Sequence, residues 1–206
     1  MNNLYLNAWG GVGSKMLTKH FDTYYYVWHT HWPKLPILQS SYDGEQNEFE
    51  PIINEDTKVL YIYGNPYNAL LSYYRRSQVD KTWIQRHCKD LDGRYSEINP
   101  NWSVEDYLNN GEDLLGLEPH LDTWLDAKVN YDILFVEFEN MWNNLELIFN
   151  YLEIDKSYIN KFPPMKSRTS DWTKQSENIQ NKLQTLYGEL YDRVKQNGTI
   201  VKRASK

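Results

Sequence analysis

At 206 residues the chain has the length of one domain able to bury a sizeable core, and with 40% hydrophobic and 24% charged residues it reads as an ordinary folded protein. Its one cysteine, Cys88, excludes an internal disulfide and argues against a structural zinc site. A net charge of −6 argues against general nucleic-acid binding, and neither a signal peptide nor an apolar run fit to span a bilayer stands out, so a cytoplasmic protein without membrane or nucleic-acid partners is expected.

Residues 4–9 alternate as a strand and lead into Gly10-Gly11-Val12-Gly13-Ser14-Lys15, a tight turn from which an amphipathic helix starts at Ser14. Glycines let a backbone come close to a ligand, and the first turn of a helix leaves N–H groups unpaired, so this strand–loop–helix points to a phosphate-like anion. A plain turn would use the same glycines, and the phosphate loop of nucleotide kinases wants Gly-Lys followed by Ser or Thr, whereas here the lysine comes one place late. Residues 24–28 predict a second strand, ending at His29-Thr30-His31-Trp32-Pro33. Residues 39–57 are polar and turn-rich, with no clear period.

Lys58–Tyr63 reads as a buried strand, broken by Gly64-Asn65-Pro66, with Pro66 placed to open a helix over 67–77. Residues 81–101 are mixed, with short helical pieces. Ser103 and Asp106 come close to a capping box for another helix. A helix over 117–128 presents Leu121, Trp124 and Leu125 on one face, 132–137 form a strand, and 140–153 form a helix behind it. After Phe162-Pro163-Pro164 comes a loop, then a long helix over 173–196 ended by Asn197-Gly198, and 197–206 read as a flexible basic tail.

Strands alternating with helices imply a mostly parallel sheet flanked by helices in one domain over 1–206. Ligands of such folds bind at the carboxyl ends of the strands. The glycine loop, the 29–33 segment and Gly64-Asn65-Pro66 each follow a strand, so they share a crevice if those strands are neighbours. Charge is uneven: 156–206 hold 11 Lys and Arg against 4 Asp and Glu, leaving 11 against 24 elsewhere. The basic segment is either a solvated tail or a surface that meets an anionic ligand on an acidic body.

The stretch Tyr61-Ile62-Tyr63-Gly64-Asn65-Pro66-Tyr67-Asn68-Ala69-Leu70-Leu71-Ser72-Tyr73-Tyr74-Arg75-Arg76 resembles a segment of the sulfotransferases that use 3′-phosphoadenosine 5′-phosphosulfate. Those enzymes carry a strand, Arg-x-Pro, and a helix with a serine followed by aromatics; Ser72 matches the serine, while Gly64 stands where the family has its arginine. Gly13-Ser14-Lys15 resembles the family's phosphosulfate loop, and Thr30-His31-Trp32-Pro33 its Thr-His-x-Pro. His120, Trp124 and the strand and turn from Ile133 to Glu139 are similar to a further helix, strand and Tyr-Glu-Asp turn. The run Lys166-Ser167-Arg168-Thr169-Ser170-Asp171-Trp172 resembles the late basic loop that closes over the nucleotide.

The resemblance implies a P-loop NTPase-like three-layer α/β fold and a sulfuryl transfer to a hydroxyl of a small molecule or sugar. It implies that the amides of Gly11, Val12, Gly13, Ser14, Lys15 and Met16 hold the 5′-phosphosulfate, with His31 as general base and Lys15 as leaving-group cation. Ser72 would contact the 3′-phosphate, with Lys166 and Arg168 standing in for the missing arginine. His29 is expected to face the other side of its strand, at a place where some relatives carry a lysine, and Arg75 and Arg76 either add to the phosphate contact or lie at the surface, the surface role being the one expected. Trp28, Trp32, Tyr73 and Tyr74 favour an acceptor with a ring, and no metal is required. The alternatives are a P-loop nucleotide-dependent kinase and a degenerate member that binds a nucleotide without turnover.

Overall fold

A computed structural model describes residues 2–41 and 51–205; residues 42–50 of the polar stretch 39–57, and Lys206 of the expected tail, lie outside the described residues. The elements in chain order are β1 Asn2–Ala8, α1 Ser14–Phe21, β2 Tyr25–Thr30, β3 Ile37–Leu38, β4 Ile52–Ile53, β5 Lys58–Tyr63, α2 Pro66–Ser77, α3 Trp83–Asp90, α4 Val104–Asn109, α5 Leu117–Leu125, β6 Ile133–Glu137, α6 Leu145–Tyr151, α7 Glu177–Asn197 and β7 Ile200–Lys202. The main sheet runs β2-β1-β5-β6-β7, parallel except for β7, which pairs antiparallel to β6. This is an α/β fold with a mostly parallel sheet flanked by helices. Among the described residues no helix is long and apolar enough to cross a membrane.

Strand order places the site. From β1 the chain turns through α1 to β2 on one side, and β5 then joins β1 on the other. The carboxyl ends of β1 and β5 therefore part at the topological switch point, where an α/β sheet opens a crevice. The glycine loop leaves β1 there, and Gly64-Asn65-Pro66 leaves β5 beside it.

Alternation sets the faces of the sheet. Tyr5 of β1 stacks on Trp124 of α5 at 6.3 Å between ring centres, and Tyr61 of β5 stacks on the same indole at 4.8 Å. All three rings are fully buried. Tyr67 of α2 stacks on Tyr191 of α7, joining those helices. Elsewhere His20 of α1 packs against Phe149 of α6 and against Phe162.

Local chemistry sets several boundaries. Asn65 caps α2 through Asn68, with Pro66 in the first turn. Ser103 and Asp106 complete a reciprocal capping box on α4. Ser176 caps α7, which therefore starts at Glu177 rather than at 173, and Gly198 with φ 56 ends it.

Three expectations are corrected. The segment read as a flexible tail from 197 supplies strand β7, because Ile200–Lys202 pairs with the β6 edge and Tyr63 donates its hydroxyl to Gly198 O. The short pair β3–β4 lies within or beside a stretch with no legible period. The helix expected over 140–153 begins as a 3-10 segment, Phe138–Asn144, before α6.

The charge asymmetry has an internal answer. Lys182 pairs with Glu105 at 2.7 Å, Arg193 with Glu118 at 2.9 Å and with Asp122, Lys195 with Glu137 at 2.7 Å, and Arg203 with Asp132. Much of the basic C-terminal segment is thus spent on carboxylates of the acidic body.

Candidate anion-binding site

The glycine loop adopts a conformation that side chains resist. Gly11 has φ 82 and Gly13 has φ 74, both left-handed. A Cβ on Gly13 would lie 2.2 Å from the Phe138 ring, and one on Gly11 3.0 Å from Ser72 Cβ. The loop is therefore wedged between α2 and the Phe138 turn. Among the described residues, the amides of Gly11, Val12, Gly13, Ser14 and Lys15 have no hydrogen-bond acceptor. The Met16 amide already donates to Gly13 O at 3.0 Å, so the expected cradle ends one residue earlier, at Lys15. Unpaired amides at a helix start, with the helix dipole behind them, attract negative charge.

These amides open on a cavity of about 40 Å³, lined by Gly10, Gly11, Gly13, Ser14, Lys15, His31, Arg76 and His87. That volume admits a single small polar group or a few waters. Three helices and a strand end meet here. Lys15 comes from the first turn of α1, His31 from the end of β2, Arg76 from the last turn of α2, and His87 from α3. Neither Lys15 nor Arg76 has a carboxylate partner among the described residues.

His31 approaches Ala8 O with Nδ1 at 2.5 Å. A carbonyl only accepts, so Nδ1 carries the proton and Nε2 keeps its lone pair. Burial holds the imidazole below its ordinary pKa, against the Ala8 bond and Asp90, which act upward. His31 is thus neutral near pH 7, with Nε2 the nitrogen able to accept a proton. Its main chain is anchored from α5: His120 Nε2–H donates to His31 O at 3.1 Å, and His120 Nδ1 accepts from the Tyr61 hydroxyl at 2.8 Å. Burial pushes His120 down to about 3, which keeps that tautomer in place.

His29 lies on the same side as His31, with ring centres 4.7 Å apart. Positions two apart on an extended segment share a face, which overturns the expectation that His29 points away. Burial, then the neighbouring His31 and Lys15, push His29 down to about 4, and its Nε2 is buried without a partner. His87 is pushed down to about 4 by burial and by His31. Its ring lies 3.6 Å from the Trp83 ring and 5.5 Å from that of His31. Among the described residues no group of three or more His, Cys, Asp or Glu side chains is placed to hold a metal ion.

Other expected residues lie outside the cavity. Val12 buries its side chain in the core. Ser72 is buried behind Gly11 rather than on the cavity wall, and Lys166 is exposed on its loop. Arg168 does reach the glycine loop, donating to Gly11 O at 2.6 Å, but it also pairs with Glu139 and packs over Phe138. Glu139 accepts from Asn65 N at 2.9 Å and fills the space beside Gly64, where a Cβ would meet its Oε2 at 2.5 Å. Tyr73 and Tyr74 belong to the core, and Trp28 stands half-exposed on the outer edge strand. Of the four aromatics proposed to face an acceptor, Trp32 alone lines an open pocket near the site, one that His31 itself does not line. That pocket, about 390 Å³, also includes Lys89, Asp90 and Asp92.

His87 was not legible as a site residue, and Arg76 was expected chiefly at the surface. The signal available was faint: Trp83 and His87 stand one helical turn apart, seven and eleven residues after Arg76. No protein-family model matches the chain, and no curated protein matches it significantly.

Proposed function

We propose that the chain is a P-loop-like sulfotransferase that moves a sulfuryl group from 3′-phosphoadenosine 5′-phosphosulfate to a hydroxyl of a small molecule or sugar. One observation carries the reading: a single cavity joins the unpaired loop amides, an unpaired cation at Lys15 and a neutral imidazole at His31 whose Nδ1 is already committed. In this reading the amides of Gly11 to Lys15 hold the sulfated end of the donor. An acceptor oxygen attacks sulfur in line, and the acceptor O–S bond forms as the bond from sulfur to the bridging phosphate oxygen breaks. His31 Nε2 takes the acceptor's proton, Lys15 steadies the negative charge on the departing oxygen, and adenosine 3′,5′-bisphosphate leaves. Positioning and charge stabilisation do most of the work, as in phosphoryl transfer. The acceptor occupies the pocket of about 390 Å³, where the Trp32 indole offers a face for a ring and Asp90 a carboxylate for hydroxyl groups.

A second reading, binding of the nucleotide without turnover, is favoured by one observation. Glu139 occupies the space beside Gly64 and neutralises Arg168, so the cation expected for the 3′-phosphate is engaged. Calorimetry with adenosine 3′,5′-bisphosphate, joined to a transfer assay, separates the two. The enzyme reading expects binding, turnover, and a His31→Ala variant that keeps the affinity and loses turnover. Binding without turnover in the wild type selects the second reading; no binding removes both.

A further inference from the structure

We propose that Arg76 is the second cation of the anion cavity and contacts directly the tetrahedral oxyanion held by the glycine-loop amides. The inference rests on reading that cavity as the seat of the transferred group, and it adds a residue from an element outside the loop and the histidine strand.

Arg76 ends α2 half-buried, with its guanidinium carbon 4.9 Å from the Trp83 ring centre. Most other arginines are spoken for. Arg86, Arg94, Arg168, Arg193 and Arg203 each pair with a carboxylate, and Arg75 donates to Ser170 at 3.2 Å. Arg76 has no such partner among the described residues and lines the cavity with Lys15. Two cations, the loop residues Gly11, Gly13, Ser14 and Lys15, whose amides have no acceptor among the described residues, and the neutral imidazoles of His31 and His87 thus line one cavity that has no carboxylate in its wall. Such a concentration of positive potential in a narrow, low-dielectric pocket is unfavourable until a negative group enters it.

The mounting of Arg76 is specific. A planar guanidinium stacks on an aromatic face while its edge offers parallel N–H groups, the geometry that suits two oxygens of a sulfate or phosphate. Trp83 supplies the face, and His87, one turn later on α3, stacks on the same indole. Beneath this layer Tyr73 is fully buried, with its hydroxyl packed against Gly10 at the start of the loop. In the transfer step Arg76 would hold the equatorial oxygens of the sulfuryl group, while Lys15 faces the leaving oxygen.

The test titrates inorganic sulfate at constant ionic strength and follows the amide resonances of Gly11 to Lys15. Wild-type protein should shift those amides saturably. Arg76→Gln should weaken sulfate binding about tenfold or more, as expected for loss of a charge-assisted pair of hydrogen bonds, and Arg75→Gln should leave it unchanged. Arg76→Lys keeps the charge without the planar fork and serves where the glutamine variant does not fold; its affinity should also fall. Wild-type affinity in either Arg76 variant overturns the inference while the sulfotransferase reading stands. Sulfate binding without binding of adenosine 3′,5′-bisphosphate removes the nucleotide reading and leaves Arg76 in place. No sulfate response at these amides removes both.

Discussion

His120 links the fold to the candidate base, and its buried imidazole gives a prediction with a definite sign and size. The residue is 1% exposed, donates from Nε2 to His31 O and accepts at Nδ1 from Tyr61. Burial pushes its pKa down to about 3, against an ordinary value of 6.5. In the unfolded chain the imidazole gains a proton as pH falls through 6.5, while the folded chain resists protonation until about 3. Its contribution is therefore complete above pH 6.5 and drains away as pH falls toward 3. The full gap corresponds to about 5 kcal/mol, of which about 2 kcal/mol is gone between pH 7 and pH 5. His29, His31 and His87 act in the same direction, so the total loss in wild type is larger. A His120→Gln variant isolates the one residue: its cost relative to wild type, from urea unfolding, should be about 2 kcal/mol smaller at pH 5 than at pH 7. An equal cost at both pH values, or a larger one at pH 5, refutes the assignment of a neutral buried imidazole holding the His31 main chain.

The glycine loop predicts a contrast between two alanine variants. Gly13→Ala and Gly111→Ala both place a side chain at left-handed φ, 74 and 75, but only Gly13 has a neighbour in the way, the Phe138 ring at 2.2 Å. Gly111→Ala should cost about 1 kcal/mol and Gly13→Ala about 2 kcal/mol more, and thermal unfolding should show sulfate protecting the former and not the latter. For the base, the lowered pKa of His31 places the acid limb of kcat/KM below pH 6.5, with rate falling as Nε2 gains a proton; a limb above 6.5 points to another base. Placing at 64 the arginine of the sulfotransferases that this segment resembles, by Gly64→Arg, should destabilise the protein, because even its Cβ meets Glu139 Oε2 at 2.5 Å, and under the proposed function adding Glu139→Ala should recover stability and tighten binding of adenosine 3′,5′-bisphosphate. Calorimetry and unfolding on the single and double variants check both halves; a stable single variant shows that Glu139 yields easily.

How much of this was legible in the amino-acid order depends on the range of the interaction. Lys58–Tyr63 is a strand because an apolar run rich in Val, Ile and Tyr stands between turn residues, and the capped start of α2 is written in Asn65 and Pro66. The glycine loop is equally local, since its left-handed positions need glycine wherever the rest of the chain goes. The encounter of His31 with that loop also followed from neighbouring strands in a parallel sheet. Arg76 and His87 needed more. Each sits on a helix whose own pattern is satisfied without the site; His87 stacks on Trp83 of its own helix, and only the approach of α3 to α2 brings Arg76 to the same indole. The basic C-terminal segment misled for the same reason: its partners, Glu105, Glu118 and Glu137, lie 58 to 77 residues away in the chain, so composition records an excess that the fold cancels.

Gly64 shows why a single position could not be read alone. As a departure from a motif it is a missing cation. In the fold it is a vacancy that three other groups use: Glu139 enters it, the Asn65 amide bonds the carboxylate, and Arg168 pairs with the same carboxylate while donating to Gly11 O. Each of these contacts depends on the others. A side chain at 64 would crowd Glu139, and Glu139 is bonded both to the Asn65 amide and to Arg168, whose other bond is to the Gly11 carbonyl of the glycine loop. The charge placed at the loop is therefore set by a coupled group of residues rather than by position 64. Arg168 is tethered outside the cavity, and among the described residues the cations that line it, Lys15 and Arg76, have no carboxylate partner. Coupling of this kind is measurable as non-additivity: neighbours that share partners depart from additive behaviour by about 0.5–3 kcal/mol. The Gly64 and Glu139 variants should show that departure, whereas Gly64 combined with a distant change such as Gly111→Ala should not.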